Sequence, residues 1–350
     1  MSVDLKDKKG RSRLSLGKLP PDVMGRYLFG MTGARSRRVV VEPSLGLDFG
    51  VVRLGGEKAK GRYLIVSSDP ITGVSERAGW YAVNVSANDV ATSGNRPEFM
   101  QSIILLPEHA SEGDVRTISS EMHETARRLG IAIVGGHTEL SPGLDRPIII
   151  TTAFAFASSF VTAAGARDGD SLLMTKTAGV EGTAIIGSDK RYRKRLGGKG
   201  VADAEKYFEK MSVVKEAVSA YKTGVVHAMH DCTEGGVIGA LYEIATASGL
   251  GLEVAQESIP ISMETLKVCA VVGVDPLKLI SSGTLLLSVE PGKEDRVLDA
   301  ISSVNSSASV VGRFTRGKVV LTRGKSRTVV STAPRDEIWR LHQQSQSRSA

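Results

Sequence analysis

The sequence predicts an α+β protein of two domains. Three observations carry that expectation. The chain has 350 residues, about two domain lengths at roughly 150 residues each. Stretches with strand character and stretches with helical period mix irregularly, without the even alternation of a regular βαβ chain. Hydrophobic residues make up 41% and aromatics only 5%, with 38 glycines, so the cores are expected to be aliphatic and the backbone rich in tight turns.

Residues 1–20 hold Lys6, Lys8, Lys9, Arg11, Arg13 and Lys18 ahead of the first apolar segment and are expected to form a mobile arm. A short helix follows, with Pro20 and Pro21 near its start and Leu28 and Phe29 near its end. Val39–Val41, Gly50–Leu54 and Tyr63–Ser67 read as strands between glycine and charged turns. Ser75–Ser93 reads as a helix of small residues, with Ala78, Ala82, Ala87 and Ala91 at helical spacing. Phe99–Leu106 is a strand ended by Pro107. Ser111 and Asp114 form a capping pair for a helix whose apolar stripe is Val115, Ile118, Met122, Ala126 and Leu129, stopped by Gly130. Ile131–Val134 and Ile148–Ala157 are strands around a glycine-rich turn.

A second unit begins near Gly165, with strand Ser171–Thr175 and a helix start over Val180–Ser188. Residues 189–202, basic and glycine-rich, are expected to be a loop. Ala204–Thr223 and Gly236–Ser248 are helical, the latter terminated by Gly249. Leu252–Ala255 and Thr284–Val289 are strands, Glu294–Ser302 is a helix, and short strands lie near Val310 and Val319. The domains are accordingly drawn at 21–160 and 165–325, with a polar tail over 326–350.

The net charge of +7 is modest and partly terminal. No basic face with interleaved aromatics accompanies it, so nucleic acid is not the expected partner, and an anionic small molecule suits the charge equally. Two cysteines, Cys232 and Cys269, make neither a disulfide framework nor a zinc site. The longest apolar run, Ile148–Ala157, is far short of the roughly 20 residues of a membrane span. No apolar signal core opens the chain, and a cytoplasmic location is expected.

Walker A, GxGxxG, HExxH and GxSxG arrangements are all missing. Polar residues are instead lodged beside apolar strands. Asp48 precedes Val51 and Val52, Asp69 follows Leu64–Ser68, and Asn88 and Asp89 lie inside the small-residue helix, with Asn84 on the face of Asn88. A single acid at a strand end is ordinarily a turn former. Asn and Asp together within a helix are less ordinary, because both are weak helix formers there. Carboxylate and amide oxygens are what Mg²⁺ takes, together with phosphate oxygens. Gly135 and Gly136 after a strand would let backbone N–H groups approach a ligand, with His137, Thr138 and Glu139 beside them; the plain alternative is a tight turn with a solvated histidine. His230–Gly236 precedes a helix, where Thr233, Gly235 and Gly236 suit an anion or serve as a simple cap with Thr233 as N-cap. Gly182, in Val180–Thr183, is a weaker site of the same kind. Cys232 reads as a packing residue.

In this order the segments resemble one superfamily, which contains AIR synthase of the PurM type, hydrogenase maturation protein HypE, thiamine-monophosphate kinase and selenophosphate synthetase. Gly46–Val52 is similar to its GDDAAVV strand, with Leu47 in place of the first acid. Ser68–Asp69 resembles its (S/T)D strand end, and Ala87–Pro97 its VNDLAxxGAxP helix. Gly135–Glu139 resembles GGDT or GGET, with His137 in place of the acid, and His230–Gly236 resembles the HypE sequence HDPTRGG. The likeness runs from about Leu16 to Leu321, nearly the whole chain.

The resemblance implies a PurM-like two-domain fold in which the N-terminal domain closes a β-barrel across a homodimer. It implies ATP between the domains, held by Asp48, Asp69, Asn88, Asp89, Gly135, Gly136, His137 and Thr138, with Mg²⁺ on Asp48, Asp69 and Asp89. Asp89, His137 and Asp231 are the expected catalytic groups. Catalysis of this class rests on positioning and charge neutralisation. The second half is nearest HypE, which carries its group on a C-terminal cysteine, whereas this sequence ends Gln346-Ser347-Arg348-Ser349-Ala350. The expectation is therefore a HypE-like enzyme without that carrier, phosphorylating an oxygen of a small amide, acid or phosphate substrate. The alternatives are a kinase like thiamine-monophosphate kinase, or a non-catalytic nucleotide-binding partner of a maturation protein.

Overall fold

The computed structural model describes residues 14, 16–55, 61–74 and 76–349, with side chains through residue 343. Most of the expected arm (residues 1–13 and 15) and Ser75, the expected start of the small-residue helix, lie outside the described residues. The first half runs α1 (Pro21–Tyr27), β1 (Val39–Val41), β2 (Gly50–Arg53), β3 (Tyr63–Ile71), α2 (Ala78–Ala91), β4 (Phe99–Leu106), α3 (Glu112–Leu129), β5 (Ala132–Leu140) and β6 (Ile148–Ala157). Its strands form one sheet in the order β1-β2-β3-β6-β4-β5. All neighbours are antiparallel except the β4–β5 pair.

Two helices lie on one face of this sheet, and the sequence explains their fit. The alanine-rich face of α2 permits close approach. Gly79 is seated so tightly that an added Cβ would lie 2.4 Å from the Ile118 carbonyl oxygen of α3. The capping box of α3 is complete: Ser111 accepts from the Asp114 N–H, and Asp114 accepts from the Ser111 N–H. Along β6 the odd-numbered residues from Ile149 to Ala157 are buried, while Ile148, Ile150, Phe154 and Phe156 point to the other face and stay partly exposed.

The second half holds β7 (Ser171–Thr175), α4 (Val180–Ser188), α5 (Arg193–Glu205), α6 (Val214–Lys222), β8 (Val226–Cys232), α7 (Gly236–Ser248), β9 (Gly251–Ala255), α8 (Met263–Val272), β10 (Thr284–Val289), α9 (Glu294–Ser302), β11 (Ala308–Thr315), β12 (Val319–Arg323), β13 (Ser326–Val330) and α10 (Glu337–Ser349). Its sheet runs β13-β12-β9-β11-β7-β10-β8 and is antiparallel apart from the β12–β9 pair. The fold is a two-domain α+β arrangement with two mixed sheets. Neither sheet closes on itself, so the barrel expected across a dimer is not formed within one chain.

Other expectations are corrected locally. Residues 189–202 are largely helical: α5 crosses them, with a break at Gly197, where φ is 71°. The helix expected over Ala204–Thr223 is interrupted, because a 3-10 turn over Lys206–Lys210 and an irregular link at Met211–Val213 separate α5 from α6. Asn88 explains the link. Its amide nitrogen donates to the Met211 carbonyl and its amide oxygen accepts from the Val213 N–H, both at 2.8 Å. The glycine pair 135–136 is no turn; β5 continues through it. The segment after Leu321 holds β13 and α10.

The two halves share one apolar core. Tyr81, Ala82 and Val90 of α2 pack in the same cluster as Phe208, Met211, Val214, Leu285 and Leu287. Trp80, Tyr81 and Phe208 meet edge to face, each contact with Phe208 at 5.8 Å. The two halves are therefore joined through packed side chains.

Candidate functional site

Strand β3 carries Ser67 and Asp69 on the face toward α2, because residues two apart share a face. Asp89, on α2, meets them there. The Ser67 hydroxyl lies 2.8 Å from Asp89 Oδ2 and 3.3 Å from Asp69 Oδ2, and it also donates to the Asp48 carbonyl at 2.9 Å. Asp48 stands in the loop before β2. The end of β8 brings His230 and Asp231 across from the other half. His230 Nδ1 lies 2.6 Å from Asp48 Oδ1, and Nε2 lies 3.1 Å from Glu243 Oε2 on α7. Single ligand atoms of Asp48, His230 and Asp231 lie within 4.8 Å of one another. Lys18 completes the chain, its Nζ 2.7 Å from Glu243 Oε1.

The electrostatics follow from crowding. Burial, then the charges of Asp69, Asp231 and Asp48, push the Asp89 carboxyl well above its usual range. Asp69 is raised by burial despite its hydrogen bonds to Asp89 and Ser67. Burial and the Asp48 charge raise Asp231 to about 8. Burial alone would lower His230, but the flanking Asp48 and Glu243 carboxylates outweigh it and raise the imidazole to about 10. Both ring nitrogens then donate. Glu243 moves the other way: burial opposes its charge, yet Lys18 and His230 hold it down to about 2. Asp48 Oδ2 and Asp231 Oδ2 are buried with no hydrogen-bond partner. Orphaned carboxylate oxygens in a shared cleft are the donor set of a hard cation, so the residues present fit Mg²⁺.

The acids expected at the metal, Asp48, Asp69 and Asp89, thus converge, and Asp231 joins them. The structure does not bring Gly135, Gly136, His137 and Thr138 to this cluster. Asp69 pairs with Thr151, Thr151 with Ser102, and Ser102 with Gly136, which places β5 three strands away, about 14 Å at ~4.8 Å per strand. His137 is in register with Ile103, on the opposite face, and its ring bonds Glu139 at 3.1 Å in solvent. Asn88 is fully buried, and both ends of its amide are engaged by the backbone of residues 211–213.

The expected anion site at α7 is filled by the chain itself. Gly235, at φ 88°, is the N-cap in place of Thr233. Its N–H donates to Asp336 Oδ2 at 2.6 Å, and the Gly236 N–H donates to the Thr233 carbonyl at 3.1 Å. A Cβ on Gly236 would lie 2.6 Å from the Leu279 carbonyl oxygen. Gly182 likewise packs on Leu279, and its N–H donates to the Ile280 carbonyl.

Sequence reasoning missed Lys18, Glu181 and Asp336 as parts of this region. Glu181 carried a usable signal, as an acid in an otherwise apolar helix start. Glu181 Oε2 is buried and unpartnered, and burial raises its carboxyl to about 7. Asp336, beside it, is also raised to about 7 by burial, against the N–H donors of Ile338 and Gly235.

The chain matches the model of the AIR synthase related protein N-terminal domain over residues 46–157 and that of the C-terminal domain over residues 167–323. It is 28% identical over 243 residues to a putative hydrogenase expression/formation protein of Methanocaldococcus jannaschii, covering 68% of this chain and 70% of that one. It is 30% identical over 264 residues to the carbamoyl dehydratase HypE of Escherichia coli, covering 73% and 76%. The crystal structure of E. coli HypE superposes with a TM-score of 0.68 at 26% identity, over 77% of this chain and 85% of that one. A HypE crystal structure in complex with ATP superposes with a TM-score of 0.68 at 21% identity, over 82% and 89%, a likeness of fold.

An acid whose pKa is raised on folding binds more protons folded than unfolded, so it costs stability as pH rises through that window. For Glu181 the window runs from its ordinary value of 4.5 to about 7. Glu181→Gln should therefore be more stable than the wild type at pH 8, by about 1–3 kcal/mol, with no advantage at pH 4.5. Urea unfolding midpoints at the two pH values check this, and an equal effect at both would contradict it. Two matched domains and relatives over most of its length put one conclusion on the chain: it belongs to the AIR synthase-related family.

Proposed function

We propose that this protein is an ATP-dependent enzyme that phosphorylates an oxygen of a small amide, acid or phosphate substrate, HypE-like but with no cysteine carrier among its residues. The observation that carries the reading is the convergence of Asp48, Asp69, Asp89 and Asp231 from both halves, with buried carboxylate oxygens left unpartnered. The family, the HypE relatives and the ATP complex of a HypE fold support it.

Asp48, Asp69 and Asp89 would hold Mg²⁺, which would neutralise the phosphate charge as the phosphoryl group transfers. His230, held between Asp48 and Glu243, keeps Asp48 aimed into the cleft. Asp231, raised to about 8 by burial and the Asp48 charge, holds a proton on its carboxyl at neutral pH, which a cation held there would displace. Cys232 and Cys269 are buried; burial raises both thiols, that of Cys269 to about 12. Neither offers a thiolate to carry a substrate.

A homodimer belongs to the same reading. The outer face of the first sheet leaves Ile103, Phe156 and other apolar side chains uncovered, and His137 lies on that face. A second copy packed there would close the barrel and bring His137 to an interface. Among the described residues, no helix is long and apolar enough to cross a membrane. A maturation protein as partner is the further proposal that the names of the relatives support.

Calorimetric titration of ATP tests the site. Binding should need Mg²⁺, vanish in EDTA, and fall at least ~10-fold in Asp69→Asn, as expected when a charge-assisted metal contact is lost. Undiminished binding in EDTA would contradict the metal-held site. Sedimentation tests the dimer: the wild type should run as two copies and Phe156→Asp as one, whereas a monomeric wild type would remove the second copy.

A further inference from the structure

A cavity of about 330 Å³ opens between the two halves at the start of α2. Its walls are apolar and aromatic: Val74 from the loop after β3, Tyr81 of α2, Ile185 of α4, and Phe208 of the 3-10 turn. Tyr81 meets the rings of Trp80 and Phe208 edge to face, at 5.5 and 5.8 Å. The volume suits a small ring-bearing molecule. The cavity is separate from the acid cluster. Tyr81 stands eight residues before Asp89 on the same helix, about 12 Å away at ~1.5 Å per residue.

The polar lining is unfinished. Tyr81 is 1% exposed, and its hydroxyl is buried with no hydrogen-bond partner. A buried hydroxyl without a partner costs free energy, and a phenylalanine ring would pack against Phe208 without that cost. Glu181 is close enough for its charge to act on the Tyr81 phenol, which burial and then Glu181 push well above its usual range. Glu181 shares a face of α4 with Ile185 and Ser188, both on the cavity wall. Its Oε2 is likewise buried and unpartnered. One donor and one acceptor are thus left open beside an apolar cavity.

The charges around the cavity balance. At the rim Glu76 and Asp189 stand with Lys190, and Asp189 is already tied to Arg191. Arg77, its guanidinium 4.4 Å from the centre of the Phe208 ring, acts on the Tyr81 phenol in the sense opposite to Glu181. Neither an anion nor a cation meets a net opposite charge there. An anion also has no proton for Glu181, and an ammonium cannot accept from Tyr81. A neutral hydroxyl does both with one oxygen. We propose that this cavity is a binding site for an uncharged small molecule with an apolar ring that ends in a hydroxyl. The ring lies against Val74, Ile185 and Phe208, and the hydroxyl accepts from Tyr81 and donates to Glu181.

The test titrates benzyl alcohol, benzylamine, benzoate and toluene into the protein by calorimetry at pH 7. Benzyl alcohol should bind saturably, and the benzylamine cation and benzoate at least ~10-fold more weakly, since either ion would be buried without its counter-charge. Tyr81→Phe and Glu181→Met should each weaken benzyl alcohol about 3- to 10-fold, the scale of one lost hydrogen bond, and leave toluene unchanged. Ser188→Trp fills the cavity from its wall and should abolish the binding of both. The wild-type series and Tyr81→Phe, which removes a single unpaired oxygen, decide the matter even where Ser188→Trp does not fold. Either ion binding as tightly as the alcohol would overturn the proposal. So would undiminished alcohol binding in Tyr81→Phe or in folded Ser188→Trp, or equal losses of alcohol and toluene in Tyr81→Phe. An absence of saturable binding to the wild type would leave the cavity to water alone and overturn it as well. None of these outcomes bears on Mg-ATP at the acid cluster.

Discussion

Everything in this structure answers to one constraint: several carboxylates from two domains are buried in one cleft. Like charges at that range repel strongly in a low-dielectric site, and burial disfavours each charge again. Asp69, Asp89 and Asp231 respond by holding protons above their usual pH range. The shared core of α2 with Phe208 and Met211, and the Asn88 bridge to residues 211–213, hold the halves together against that repulsion. A protein tuned only for stability would place apolar or neutral groups there.

The chain offsets part of the cost with two cations. His230 sits between Asp48 and Glu243, and Lys18 closes the other side of Glu243. The pairing is unequal. Glu243, which meets both cations, titrates low. Asp89 and Asp231, which meet neither directly, titrate high. Positive charge gathers around Glu243, and Asp69, Asp89 and Asp231 are left short of it. That asymmetry suits the proposed binding of a divalent cation and a phosphate chain.

Much of this was legible from residues. The Ser111 capping box, the alanine face of α2 and the strand positions follow from local periodicity and capping chemistry, which short-range sequence records well. Asp48, Asp69 and Asp89 were legible as a set only in their order along the chain, since each alone is an ordinary turn or helix acid. Three-dimensional pairing was not legible. Gly135–Thr138 read as a loop at the site, but β5 runs straight through them, because the pairing of Gln101 and Ser102 with Gly135 and Gly136 carries the ladder past the glycines. Asn88 read as a ligand, yet its partners lie more than a hundred residues away in the backbone of the other half. The α7 N-terminus read as an anion site, but Asp336, about a hundred residues later, already occupies it. Lys18 was hidden by its setting in a basic, low-hydropathy stretch, where one lysine looks like the rest.

The most direct measurement is the thermal stability of Asp89→Asn against the wild type at pH 8, each with and without Mg-ATP. Replacing one crowded carboxylate by its neutral isostere should raise the melting temperature of the ligand-free protein and abolish the rise that Mg-ATP gives the wild type. A ligand-free variant less stable than the wild type, or one still stabilised by Mg-ATP as the wild type is, would contradict the claim that these acids are held in strain for a cation and its nucleotide.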